Sequence, residues 1–345
     1  MLARRRHGSL PSVATGSDEA SYLASVLGVG SALPARRVTN QELERHVDTS
    51  DEWIRARTGI GERRVLGRDE RLADLMETAS RRALEASGVA AAELDAIVVG
   101  TVSGDYTFPA AACELQARLG LDRIPAFDVS AACSGFLYAL STANAHIRAG
   151  DFGTVLLVGA DALTTMVDWT DRRTCVLFGD GAGAAVLRGA EGDRGILATA
   201  THATGAMAEM LYARIGPRGG FDAEVPAPPQ ACLQMKGPEL FRWAVRCMSE
   251  VALEVLERAR LTPADVDIVV PHQANQRIIN AVAQRLDFPL EKIFANVERF
   301  GNTSAASVPI ALDEASQAGR LRAGDVVLLV ACGGGLTWAG AAIRW

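Results

Sequence analysis

The stretch LEASGVAAAELDAIV, residues 84–98, returns 172 positions later as LERARLTPADVDIVV, residues 256–270. Leu84, Glu85, Val89, Ala92, Glu93, Leu94 and Asp95 fall on Leu256, Glu257, Leu261, Ala264, Asp265, Val266 and Asp267. Each copy ends in a short strand pattern, 96–99 closed by Gly100 and 268–270 closed by Pro271, as buried parallel strands do. A second echo points the same way: RAGD at 148–151 recurs at 322–325, and VLLV at 155–158 recurs at 327–330. In both places a helix ends in glycine just before a buried strand. Two ordinary helix-turn-strand units can match once by chance; two matches in the same order predict an internal duplication.

At about 150 residues per domain, 345 residues make two domains or one duplicated unit with a shared core. Helical periodicity over 72–87, 136–148, 240–260, 276–286 and 307–318 alternates with short apolar strands, including 126–129 and 293–297, which predicts an α/β fold. The halves are expected at 23–195 and 196–345, after a leader over 1–22 expected to be disordered. The Pro/Gly-rich stretch 216–229 reads as a long surface loop roughly between them. Hydrophobic residues at 49% and charged residues at 22% suit a globular core and exclude a disordered or fibrous chain.

The 35 basic and 41 acidic residues leave a net charge of −6, the opposite of a nucleic-acid binder's footprint, so an acidic partner must meet a local basic patch. Cys113, Cys133, Cys175, Cys232, Cys247 and Cys332 form no C-x-x-C pair, metal spacing or disulfide-like cluster. They predict reduced thiols, a cytoplasmic setting and no metal site. Arg4 to Arg6 are not followed by the apolar core of a signal peptide, and no apolar run approaches the roughly 18 residues of a membrane span, so a soluble protein is expected.

Cys133 follows the strand pattern 126–129 and precedes a helix pattern, which places it at a helix N-terminus where unpaired N–H groups favour a thiolate. Its small neighbours Ser130, Ala131, Ala132, Ser134 and Gly135 let a substrate approach; a small buried hydrophobe is the other reading of the same residue. His272, in HQANQRI, sits at the carboxyl edge of a buried strand, where α/β sheets place catalysts, or it is a satisfied structural histidine. Asn302, in FGNTSAAS, lies between a strand pattern and a helix, as Cys133 does, and either caps a turn or delivers a polar group to a site shared by both halves. The glycine runs at 179–183 and 333–335 lack P-loop or dinucleotide spacing. They read as close backbone approaches, and the second is suited to offering bare N–H groups to a reacting oxygen.

DEWIRARTGI (51–60), DVSAACSGF (128–136), FGDGAGAAVL (178–187), HQANQRI (272–278), FGNTSAASVP (300–309) and GGGLTW (333–338) closely resemble, in this order, β-ketoacyl-acyl-carrier-protein synthase III. The resemblance covers roughly residues 25 to 345. It implies the thiolase fold, two related halves in a five-layer α-β-α-β-α arrangement, usually as a homodimer. It implies no cofactor, acyl-CoA and malonyl-acyl carrier protein being substrates.

By resemblance, Cys133 takes the acyl group from an acyl-CoA starter, acetyl-CoA or a similar short or branched one. His272 and Asn302 then stabilise the enolate formed as the malonyl group loses CO2. Backbone N–H groups of Cys133 and Gly334 hold the oxyanion. Trp53 and Arg172 sandwich the CoA adenine, and Arg57 lies near its phosphates. Arg242, Arg277 and Arg285 dock the acidic carrier protein. Phe108 reaches across the dimer into the neighbouring acyl pocket, which Met207 and Leu336 help to line. Cys332 stands where the family usually has Phe, which removes an aromatic wall and leaves the starter open. The close variants are a priming ketosynthase or a Cys-dependent acyltransferase of a polyketide or other secondary-metabolite pathway.

Overall fold

The structure, a computed structural model, describes residues 22–213 and 232–345. The expected leader, apart from Tyr22, and the expected 216–229 loop lie outside the described residues.

The first sheet is built from β1 (Tyr22–Ala32), β4 (Ala96–Gly100), β5 (Ala126–Val129), β6 (Thr154–Ala162) and β7 (Asp180–Glu191), in the order β1-β7-β6-β4-β5. The second contains β8 (Gly195–Ala203), β11 (Ile268–Pro271), β12 (Val326–Gly333) and β13 (Thr337–Arg344), in the order β11-β12-β13-β8. Two small pairs complete the strands: β2 (Arg37–Thr39) with β3 (Glu62–Arg64), and β9 (Leu211–Tyr212) with β10 (Gln234–Met235). The helices are α1 (Asn40–Leu43), α2 (Asp51–Thr58), α3 (Leu72–Ser87), α4 (Ala111–Arg118), α5 (Gly135–Ala149), α6 (Gly237–Arg258), α7 (Gln276–Arg285), α8 (Val297–Phe300) and α9 (Ser307–Gln317). The long helices lie where periodicity puts them. Only α6 starts early, because Pro238 in its first turn needs no N–H partner there.

The duplication reappears as register. Parallel β4 and β6 set Ile97 opposite Leu156, and parallel β11 and β12 set Val269 opposite Leu328, each residue 172 positions from its counterpart. The repeated aspartates do the same work in each half: Asp95 Oδ2 accepts the N–H groups of Gly153 and Thr154, and Asp267 Oδ2 accepts that of Val326.

One expected strand, 293–297, does not form. Ile293 makes a single bridge to Val269 and Phe294 N–H donates to the Val269 carbonyl, so the chain starts along the sheet edge. It then leaves because the Gln273 side-chain oxygen takes the N–H groups of Asn296 and Val297, and α8 begins. That bridge occupies the place that β5 holds in the first sheet.

Three apolar clusters define the layers. Leu72, Met76, Ala79 and Leu115 of α3 and α4 pack on the outer face of the first sheet. Val251, Val255, Ile278 and Val282 of α6 and α7 cover the outer face of the second. Between the sheets, Phe136, Leu140 and Ile147 of α5 and Val308 and Leu312 of α9 touch both inner faces, through Val98 and Val155 on one side and Val270 and Leu329 on the other. A helix that meets a sheet on each side is apolar nearly all round, and each fully buried Leu, Val, Ile or Phe there stabilises by about 1.5–3 kcal/mol. The result is the five-layer thiolase fold.

Candidate active site

The α5 and α9 helices each begin with a short 3-10 turn, Ala132–Ser134 and Ser304–Ala306, that abuts the other between the sheets. Cys133 lies in the first turn and is only 5% exposed. Ser304 Oγ donates to its Sγ across 3.4 Å. Burial nevertheless pushes the Cys133 thiol up to about 12, and the Ser304 hydrogen bond only partly offsets it. At this buried position the helix end does not offset the cost of burying a thiolate.

His272 continues the β11 ladder by one bond, N–H to the Val330 carbonyl at 2.8 Å, which aims its ring past the sheet edge. Its Nδ1 lies 2.6 Å from Ser307 Oγ, while that oxygen accepts the Gln273 N–H at 3.4 Å. With the Ser307 proton directed at Nδ1, the ring carries its hydrogen on Nε2. Burial pulls His272 down to about 3, so the ring is neutral and in this tautomer offers its Nε2–H as a donor. Asn302 is fixed at both ends of its peptide, N–H to the Leu177 carbonyl and carbonyl to the Gly179 N–H. Its side-chain oxygen accepts the Ser304 N–H at 2.9 Å, which leaves the amide NH2 for the cavity.

These three residues share one cavity of about 510 Å³ with Trp53, Arg57, Arg172, Cys332 and Gly333. Trp53 and Arg57 face the same way because α2 spaces them one turn apart; Ser50 caps the helix start through the Trp53 N–H and Gly59 (φ 75°) ends it. Arg57 and Arg172 both lie over the indole, 4.4 Å and 5.2 Å from the ring centre. A buried thiol, two hydrogen-bonding side chains and a basic aromatic platform are thus joined by one space.

The sequence of 127–205 matches the family described as 3-Oxoacyl-[acyl-carrier-protein (ACP)] synthase III, and 256–345 matches that family's C-terminal part. The beta-ketoacyl-[acyl-carrier-protein] synthase III of Xanthomonas campestris pv. campestris is 52% identical over 320 residues, 93% of this chain and 98% of the relative. The chain belongs to the β-ketoacyl-[acyl-carrier-protein] synthase III family. It is accordingly a condensing, acyl-transferring enzyme, of the kind that initiates fatty-acid synthesis. The crystal structure of the synthase III from Aquifex aeolicus superposes with a TM-score of 0.87 at 46% identity, covering 93% of this chain and all of that one. The priming β-ketosynthase of the R1128 polyketide pathway superposes with a TM-score of 0.86 at 39% identity, covering 93% and 96%.

Within this synthase III framework the remaining expected residues divide. Arg242 and Arg277 line the cavity, and Arg277 stacks its guanidinium 5.5 Å from the Phe241 ring. Arg285 is exposed farther along α7 and does not reach it. Cys332 lines the wall, backed by Cys247 of α6. Gly334 lies one residue beyond the wall, beside Leu211 and Ala132. Three expected acyl-pocket residues do not line this cavity. Leu336 is fully buried and exchanges both backbone hydrogen bonds with Thr204, which turns it inward; Met207 is half-buried in the turn after β8. Phe108 is 85% exposed on the single chain.

Sequence reasoning missed the polar support: Ser304 for Cys133 and Asn302, Ser307 for His272, and Asp161, which receives the Ala305 N–H at 3.1 Å. The duplication carried a signal for it. Counted by the same 172 positions, Cys133 corresponds to Ala305 and Ala132 to Ser304, so the partner of the Cys133 turn is Ser304–Ala306 rather than Asn302.

Proposed function

We propose that the chain loads an acyl group from a short or branched acyl-CoA starter onto Cys133 and condenses it with malonyl-acyl carrier protein, releasing CO2 and 3-ketoacyl carrier protein. The observation that carries this reading is the single cavity holding Cys133, His272 and Asn302 together with Trp53, Arg57 and Arg172. The adenine of CoA would take the Trp53 platform, with Arg172 on its other face and Arg57 at the phosphates. The starter thioester then reaches Cys133, whose attack places negative charge on the acyl oxygen beside the backbone N–H groups of Cys133 and Gly334. In the second half-reaction the His272 Nε2–H and the Asn302 NH2 donate to the malonyl thioester oxygen. Both donors are neutral, so they accept the developing enolate without a counter-charge to separate, and the carbanion attacks the acyl group on Cys133.

Arg242, Arg277 and Arg285, on α6 and α7, are the proposed docking face for the acidic carrier protein. A homodimer is proposed through the open edge of β5 and the exposed Phe108 and Tyr106 beside it. Cys332, with less bulk than a phenyl ring, leaves room for a branched starter. The chemistry asks for no cofactor, and among the described residues no cluster of His, Cys, Asp or Glu is arranged to hold a metal. A cytoplasmic setting fits six free thiols; among the described residues no helix is long and apolar enough to cross a membrane.

The likeness to a polyketide priming ketosynthase keeps that pathway as the second reading, with the same chemistry. The test is a panel of acyl-CoA starters incubated with malonyl-acyl carrier protein, read by CO2 release and product mass. A 3-ketoacyl product is expected with short or branched starters. Acylated Cys133 with no CO2 and no ketoacyl product would reduce the protein to a cysteine acyltransferase.

A further inference from the structure

The proposed acylation leaves a question of proton traffic, because Cys133 is buried as a thiol and His272, with its Nδ1 taken by Ser307 and its hydrogen on Nε2, has no free nitrogen to act as a base. Behind the nucleophile, away from the cavity, lies a polar chain that the reaction above does not use. Ser304 is fully buried at φ 53° with its hydroxyl on Cys133 Sγ. The Asp161 carboxylate stands beside the same turn, where it takes the N–H of the next residue, Ala305, and the Ser304 hydroxyl is among the groups that favour its charged form. Asp161 is fully buried in β6, with Oδ1 accepting from Val102 N–H (2.9 Å), Ser103 Oγ (2.7 Å) and Thr101 Oγ1 (3.2 Å), and Oδ2 accepting from Ala305 N–H (3.1 Å).

We infer that Ser304 and Asp161 form a proton relay that takes the Cys133 proton during acylation and returns it after condensation, with Ser304 the further catalytic residue and Asp161 acting through it. A serine hydroxyl can accept and donate at once, so it can pass a proton without carrying charge. The Ser304 hydroxyl hydrogen first turns from Sγ to the Asp161 carboxylate; as Sγ bonds to the acyl carbon, the S–H bond breaks and its proton moves to Ser304 Oγ, whose own proton moves to that carboxylate. The carbonyl electron pair goes onto the acyl oxygen. Collapse expels CoA as a thiolate, which takes a proton from water. In condensation the carbanion displaces Cys133 as a thiolate, and the proton held on Asp161 returns to it through Ser304. Asp161 suits the task because burial already raises its proton affinity while four donors hold its carboxylate in place.

This inference rests on Cys133 being the acylated nucleophile, so the experiment reads both. Single-turnover CoA release and Cys133 labelling by radiolabelled acyl-CoA are followed from pH 6 to pH 10 in the wild type, Ser304→Gly and Asp161→Asn. Glycine suits the positive φ at 304, so Ser304→Gly keeps the test open if Asp161→Asn does not fold. The expected result is a wild-type rate nearly level around neutrality. In the variants CoA release falls at least about tenfold at pH 7 and recovers about tenfold per pH unit, because the thiolate must form by losing its proton to solvent. Folded variants with the wild-type profile, or with a loss that stays constant across pH, would overturn the relay. Absence of label in the wild type would instead overturn the role of Cys133.

Discussion

The two 3-10 turns that meet between the sheets are copies of each other, yet only one carries a cysteine, the proposed nucleophile. Ala132 and Ser304, their first residues, both adopt positive φ, 47° and 53°, and each turn feeds a helix, α5 or α9. The difference lies in what the opposite half presents. Over the second turn stands Asp161, whose carboxylate takes the Ala305 N–H. Counted by the duplication, the residue over the first turn is Gly333, and a Cβ there would lie 2.6 Å from the Cys133 nitrogen. Where one half satisfies a turn amide with its own side chain, the other has no side chain at all. That keeps the Cys133 amide for a substrate oxygen, the use the proposed mechanism makes of it. Likewise Gly100 of the first half corresponds to His272 of the second. Duplication supplied the frame, and substitution at matched positions supplied the chemistry.

The sharpest way to break this comparison is to separate what each half contributes. Cys133→Ala is expected to lower CoA release by about 10⁴-fold or more, because nothing else in the cavity replaces the sulfur. Asn302→Ala should leave CoA release and Cys133 labelling near the wild-type level while slowing CO2 release by about 10²–10³-fold, the cost of one lost donor to a developing oxyanion. Stopped-flow CoA release and ¹⁴CO2 trapping distinguish the two. Equal loss of both steps in Asn302→Ala would refute the division of labour.

His272 makes the second half sensitive to acid in a way its glycine counterpart cannot be. An unfolded histidine titrates near about 6.5, whereas the folded one is held down to about 3. Between those values the unfolded chain binds a proton that the folded chain does not. Stability is thus lost as pH falls below about 6.5, by about 1.4 kcal/mol per unit. Asp161, shifted upward by burial, acts with the opposite sign at low pH but is common to wild type and variant. Urea midpoints at pH 7 and pH 5 should therefore drop less in His272→Gln than in the wild type, by about 2 kcal/mol. Parallel drops would place the histidine in a solvated setting.

How much of this was legible in the sequence follows the same line between frame and chemistry. The 84–98 and 256–270 echo carried the fold because helix ends and buried strands are local patterns, and its register reappears in the paired strands. Small residues, a strand end and a glycine turn marked Cys133, His272 and Asn302 as candidates with structural readings still open; the resemblance grouped them, and the fold brings them to one cavity. The strand expected at 293–297 failed because one side chain, Gln273, diverts its amides, and nothing local announces that. Ser304, Ser307 and Asp161 were silent for a related reason. Their partners lie 171, 35 and 144 positions away, so only the folded chain brings them together.

The smallest expected effect tests whether the matched positions are interchangeable. Gly159 of β6 corresponds to Ala331 of β12, and both are deeply buried. A methyl at 159 would strike the Ala305 carbonyl and meet Phe136 Cβ at 3.1 Å, pushing the Ser304–Ala306 turn away from Cys133. Gly159→Ala should therefore cost about 1–3 kcal/mol of stability by overpacking and also slow CoA release several-fold. Ala331→Gly removes one buried methyl and loosens a strand, at a cost of about 1–2 kcal/mol, without moving either turn. Its CoA release should stay at the wild-type rate. Comparable denaturation shifts with divergent acylation rates would show that the two halves share packing but not function. If both variants slow acylation alike, the catalytic geometry depends on overall stability, and the contrast between the turns loses its meaning.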